Sequence, residues 1–208
     1  MKIFIFSRRL VAITLIIVLC GVVLIAINFQ NLSNFVTTGT VKRSLPIYRV
    51  RTDEKVVALS FDAAWGNEDT GQLIDILGKY NIKATFFVVG SWVDKYPESV
   101  KALHDAGHEI MNHSNTHPHM PQLSREKMME EVNKCNEKIQ AVTGVKPHLF
   151  RPPYGDYNNL SIETLKEMGM YTIQWDVDSL DWKDKTADEI IQRVTNKVKN
   201  GSIVLFHN

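Results

Sequence analysis

Between Val56 and Phe206 the sequence alternates short apolar runs of strand length with longer stretches in which apolar residues return every three or four positions. The runs are Val56 to Phe61, Ala84 to Val89, Glu109 to Met111, His148 to Phe150, Tyr171 to Trp175 and Ile203 to Phe206. Leu73, Ile74, Leu77 and Tyr80 mark a first helix, and a second is predicted from Val93 to Ala106, stopped by Gly107. A third starts from an N-cap at Ser124, buries Met128, Val132, Cys135, Ile139 and Val142, and ends at Gly144. Two more are predicted from about Ser161 to Met168 and from Ala187 to Val198. Strands that alternate with helices pair in parallel, because parallel neighbours need a long crossover. The expected fold class is therefore α/β, either a doubly wound sheet or a barrel.

Ahead of this pattern, the twenty residues from Leu10 to Phe29 carry no charge. At about 1.5 Å rise per residue they are long enough to cross a hydrocarbon layer of ~30 Å. Lys2, Arg8 and Arg9 precede them, which keeps residues 1–9 in the cytoplasm and places the chain beyond Phe29 across the membrane. A cleaved signal peptide is the competing reading, although its apolar core would be shorter, about 7–15 residues, and no small-x-small cleavage site comes after it. Residues 30–52 are polar and aperiodic, with Pro46 among them, and read as a stem. The domain proper is expected over 53–208.

All of the 23 acidic residues lie beyond residue 50, together with 18 of the 24 basic ones. A net negative domain argues against nucleic acid as a partner, since phosphate binding wants a basic face. The two cysteines, Cys20 in the apolar stretch and Cys135 in a predicted helix, do not read as a pair, so the fold must rest on its core.

Polar clusters stand where the predicted strands end. Asp62 follows the first; His113 and His117 follow the third; Arg151, Pro152, Pro153, Tyr154 and Gly155 follow the fourth; Asp178 to Trp182 follow the fifth; His207 follows the sixth. In parallel α/β proteins these loops meet on one face, where ligands bind. Histidines four apart can share one metal ion from a single helical turn, although such a pair also arises by chance and needs further ligands. Asp178, and less readily Asp181, is also compatible with a turn or a helix cap.

These clusters, as Asp62, His-Ser-x-x-His at 113–117, Arg-Pro-Pro-Tyr at 151–154, Asp-x-x-Asp-Trp at 178–182 and Val-Leu-Phe-His at 204–207, resemble the five ordered motifs of the NodB-homology polysaccharide deacetylases, carbohydrate esterase family 4. The similarity covers about residues 53–208. The apolar N-terminus and Asp-Ala-Ala-Trp-Gly at 62–66 look most like the membrane-anchored, sporulation-associated branch. The resemblance implies a distorted (β/α) barrel and removal of N-acetyl groups from amino sugars of a cell-wall glycan, most readily peptidoglycan. It implies that His113 and His117 bind zinc or a similar divalent ion and that Asp62 is the general base. The Tyr154 N–H would assist the oxyanion and His207 would protonate the leaving amine. Arg151 would orient Asp62, and Asp181 would orient His207. Trp182 would wall the groove, with Trp65 and Pro153 also against substrate, and Leu205 and Phe206 would receive the acetyl methyl.

The chain departs from the family pattern twice. Where family members carry a second aspartate as third metal ligand, this chain has Ala63, so any ion is expected to be held weakly. The sequence also stops at Asn208, where relatives continue through a further helix and strand. A rival expectation is accordingly a catalytically weak or inactive glycan-binding protein. The expected location is the cell membrane with the domain outside the cytoplasm, or secreted or spore-associated if the segment is cleaved. The expected assembly is a monomer.

Overall fold

A computed structural model describes residues 16–25 and 43–208. Residues 16–25 are helical, and among the described residues no helix is long and apolar enough to cross a membrane. The rest of the anchor expected at 10–29, the N-terminus 1–9 and most of the stem lie outside the described residues.

Residues 43–208 form one compact unit. Its strands are β1 (Ala58–Ala63), β2 (Thr85–Val88), β3 (Glu109–Asn112), β4 (Leu149–Phe150), β5 (Tyr171–Thr172), β6 (Val177–Asp178) and β7 (Ile203–His207). They build a seven-stranded parallel sheet among the described residues, in the order β5-β4-β3-β2-β1-β7-β6. The helices are α1 (Thr70–Lys79), α2 (Gly90–Lys95), α3 (Pro97–Asp105), α4 (Arg125–Thr143), α5 (Asn159–Glu167) and α6 (Ala187–Thr195).

The two faces of the sheet explain why its strands are apolar throughout rather than alternating. Phe61, Ala63, Phe86, Val88 and Ile110 pack with Val93, Val100, Leu103, Cys135 and Ile139 in a cluster that unites the central strands with α2, α3 and α4. On the other face Phe87, Met111, Ile173 and Ile203 form a smaller cluster inside the curl of the sheet. Successive side chains of a strand face opposite ways. Ser60 and Asp62 therefore point to the inside, where the Arg151 guanidinium lies 2.8 Å from each.

Three expectations need correction. The helix predicted at 93–106 is two, because Pro97 cannot donate a backbone hydrogen bond and forces Tyr96 out of the helical region (φ −134°, ψ 53°). The strand expected at 171–175 stops at Thr172, and a further two-residue strand, β6, pairs with β7. The stem expected at 30–52 is not free at its end. The Ile47 N–H donates to Thr172 O and Ile47 O accepts from Gln174, both at 2.8 Å, while the Val50 N–H reaches Gly201 O at 2.9 Å. Residues 47–50 thus span from beside β5 to the start of β7, stitching together the two sides of a sheet whose edge strands, β5 and β6, do not pair directly. The fold as a whole, a curled parallel half-barrel, is consistent with the distorted (β/α) barrel expected.

Candidate active site

Strand register assembles the site. Asp62 on β1 lies directly beside His207 on β7 and Phe87 on β2, while Asn112, the last residue of β3, lies beside Phe150 on β4. The carboxyl ends of β1, β3, β4, β6 and β7 thereby open into one cavity of about 500 Å³. Asp62, Trp65, His113, His117, Tyr154, Trp182, Leu205 and His207 line it, as the sequence suggested.

Two of the expected side chains stand one layer back. Arg151 is fully buried, with Nη1 2.8 Å from Asp62 Oδ1 and Nη2 2.8 Å from Ser60 Oγ and 3.3 Å from Gln174 O. Its guanidinium lies over the Phe87 ring at 4.1 Å, a stack that holds the planar cation where it can reach Asp62. Asp181 accepts from the His207 ring Nδ1 at 2.8 Å and from the His207 backbone N–H at 2.7 Å, so one carboxylate fixes both the ring and the strand end.

Two expected substrate contacts are not in the cavity. Phe206 belongs to the helix-side cluster and stacks on Phe61 at 5.4 Å, because Leu205 and Phe206 are neighbours on a strand and must face opposite sides. Leu205 alone is placed for the acetyl methyl. Pro153 is buried within a 3₁₀ turn and does not line the cavity. That turn puts Tyr154 at φ 59°, with its ring edge-on to His117 at 4.5 Å, and no backbone carbonyl accepts its N–H among the described residues. Trp175, Asp178, Ala64, Gly155 and Asn208 also line the cavity. Trp175 ends a predicted strand, Asp178 and Gly155 belong to clusters already singled out, and Ala64 lies in the Asp-Ala-Ala-Trp-Gly stretch; nothing in the sequence marks Asn208.

The histidines are brought together by a loop, not by a helical turn. Ser114 and His117 both have positive φ, 68° and 60°, and the His117 N–H donates to Ser114 Oγ at 3.0 Å. The His113 Nδ1 bonds to the Arg151 carbonyl at 2.7 Å, so it must carry the proton and leave Nε2 with a lone pair. That Nε2 lies 3.2 Å from His117 Nε2 and 3.6 Å from Asp62 Oδ2. Burial lowers the pKa of His113, outweighing the opposing pull of Asp62. Burial, and next the neighbouring His113, lower His117 to about 4. Both rings are therefore neutral at pH 7, the state a metal requires. Nitrogens 2.0–2.1 Å from one Zn²⁺ in tetrahedral geometry would stand about 3.4 Å apart, close to the separation here. The fit ends there. Among the described residues no group of three His, Cys, Asp or Glu is arranged to hold a metal, and Ala63 is fully buried in the helix-side cluster rather than at the cavity.

At His207 the balance runs the other way. Burial would lower its pKa, but the Asp181 hydrogen bond and the charges of Asp62, Asp181 and Asp178 raise it above the ordinary value. A carboxylate bound to a buried cation and, beside it in strand register, an imidazole whose pKa is raised give a base and an acid within one site.

The curled parallel α/β half-barrel thus sets this carboxylate and this imidazole beside a His-x-x-x-His loop, the arrangement that the five sequence motifs led us to expect. The sequence pattern of the polysaccharide deacetylase family matches residues 49–173, and the chain belongs to that family. It is 40% identical over 163 residues to the uncharacterized protein YlxY of Bacillus subtilis, covering 78% of this chain and 51% of that protein. It is 39% identical over 159 residues to the peptidoglycan-N-acetylmuramic acid deacetylase PdaC of the same organism, covering 76% and 33%. The chain thus spans about half the length of the first relative and a third of the second. Among solved structures, the family 4 carbohydrate esterase pseudoenzyme BA3943 of Bacillus anthracis superposes with a TM-score of 0.76 at 40% identity, covering 78% of this chain and 58% of that one. A mutant of that pseudoenzyme with restored enzymatic activity superposes equally well.

Proposed function

We propose that this chain is an N-deacetylase of cell-wall glycan, with the N-acetylated amino sugars of peptidoglycan as substrate, acting as a monomer outside the cytoplasm from an anchor at residues 10–29, in the manner of the sporulation-associated branch. The observation that carries this reading is the pair of oriented couples, Asp62 with Arg151 and His207 with Asp181, facing one cavity. Asp62, held by an Arg151 that Ser60 in turn anchors, takes a proton from water as its oxygen adds to the acetyl carbonyl carbon. The Tyr154 N–H is available to the developing oxyanion. His207, protonated through Asp181, gives its proton to the nitrogen as the C–N bond breaks, and acetate and the free amine result. Leu205 accommodates the methyl, and the exposed rings of Trp65, Tyr154 and Trp182 offer apolar faces to the sugars. His113 and His117 would hold a divalent ion such as zinc, loosely, with its remaining positions open. When bound, such an ion supplies positive charge that polarises the carbonyl and acidifies water.

A second reading, a catalytically weak or inactive glycan-binding protein, is favoured by the burial of Ala63 and the missing third ligand. Acetate release from peptidoglycan and chitooligosaccharides, with and without added zinc, separates the two. Deacetylation predicts release by the wild type and a loss of about 10²-fold or more in Asp62→Asn. Glycan retention without acetate from the wild type, with or without zinc, would establish the binding protein instead.

A further inference from the structure

The histidine loop takes a path that costs energy by itself. Two non-glycine residues with positive φ, Ser114 and His117, are worth on the order of 1–3 kcal/mol each unless the surroundings hold them. Its carbonyls are taken from one side, where the Gly90 N–H donates to Ser114 O and the Ser91 N–H to Asn115 O, both at 2.9 Å. Gly90 has to be glycine for this approach, since a Cβ there would stand 2.5 Å from Asn115 Oδ1 and 3.1 Å from its Cα. Two of the loop's N–H groups are taken by one residue. Glu131 Oε2 accepts from the Asn115 N–H at 2.9 Å and the Thr116 N–H at 2.8 Å, and Oε1 accepts from the Thr116 hydroxyl at 2.9 Å. A side chain engaged in three bonds to two adjacent residues, two of them to the single oxygen Oε2, fixes their orientation. The next residue after them is His117.

We infer that Glu131, on α4, is a positioning residue that sets the convergence of the His113 and His117 Nε2 atoms. It touches neither substrate nor cation; it acts through the loop. Its consequence for cation affinity rests on the reading of the two histidines as ligands, whereas its consequence for the His117 ring does not.

The test uses the full chain and zinc ion alone. Glu131→Ala is compared with Glu131→Gln, which keeps an oxygen for both N–H groups, and with Glu130→Ala, whose side chain pairs only with Lys127 and Lys134 on the same helix. Zinc affinity is read by competition with a chromophoric chelator, and the His117 ring by its NMR signals in metal-free protein, with circular dichroism confirming that each variant is folded. Glu131→Ala is expected to weaken zinc binding about tenfold or more and to move or broaden the His117 signals. Glu131→Gln should restore most of both, and Glu130→Ala should change neither. Unchanged His117 signals in Glu131→Ala overturn the inference, and do so even if zinc binds more weakly, since the effect would then be one of charge at a distance. Altered ring signals with no zinc bound by any form, wild type included, would uphold the positioning role and remove the metal reading.

Discussion

Arg151 is completely buried, yet its charge is matched by Asp62 and its Nη2 donates to Ser60 and the Gln174 carbonyl, leaving Nε without a partner. Removing one member of such a pair strands the other's charge away from water. Arg151→Met should lower the unfolding free energy by about 3–5 kcal/mol, measured by urea denaturation, and adding Asp62→Leu should recover part of it; a loss under about 1 kcal/mol would show that Asp62 is hydrated. Asp181 is the corresponding partner of His207. Because the folded pKa of His207 is raised above its ordinary 6.5, its bond to Asp181 contributes stability in full below that pH and loses it as pH rises through the folded value. For catalysis the same shift keeps the acid protonated further into the alkaline range. In Asp181→Asn the alkaline limb of the acetate-release profile should therefore move to lower pH; an unmoved limb would assign the acid to another group. Phe206 is the instructive error at this scale. Its placement against substrate beside Leu205 contradicts the two-residue period of a strand, so the signal that excludes it was present in the sequence.

Among the elements, those with strong periodicity were legible and the short ones were not. Helix α4 runs as expected from Ser124, whose side chain accepts from the Lys127 N–H, to Gly144 at φ 74°. The two-residue strand β6 is too brief to show a pattern, and the pairing of residues 47–50 depends on partners more than 120 positions away. Gly201 is the pivot of that pairing. Its φ is +78°, and an added Cβ would collide with the Val50 carbonyl oxygen. Gly201→Ala should cost about 2 kcal/mol, from backbone strain plus the clash, and lower Tm by roughly 4–8 °C. An unaltered Tm would mean that the segment contributes nothing to closing the seam.

For the whole molecule, acid should be the destabilising direction. His108 is buried with its Nδ1 accepting from the Ala84 N–H at 3.2 Å and its Nε2 without a partner, and burial lowers its pKa as it does those of His113 and His117. Groups held neutral in the fold but protonated near 6.5 in the unfolded chain give stability that is complete above 6.5 and falls as pH drops towards their folded values, about 4 for His117. His207 acts in the opposite sense, so three groups oppose one. Urea midpoints in the presence of a chelator should fall between about pH 7.5 and about pH 5; a flat or rising midpoint would contradict the burial of these rings as neutral species.

The sequence by itself determined the class of fold and the five clusters at the strand ends, because helical and extended periodicities and strand-terminal polar residues are local properties of a chain. It also determined the absence of a carboxylate at position 63. Only the tertiary structure decided that the histidine pair rests on Glu131, that Ala63 packs in the core, that Asp62 and His207 lie side by side in register, and that residues 47–50 bridge the sheet's open seam. Those facts depend on which face each strand presents and on which distant groups its neighbours bring. Register and packing are settled by the free energy of the assembled molecule, not by any segment of it.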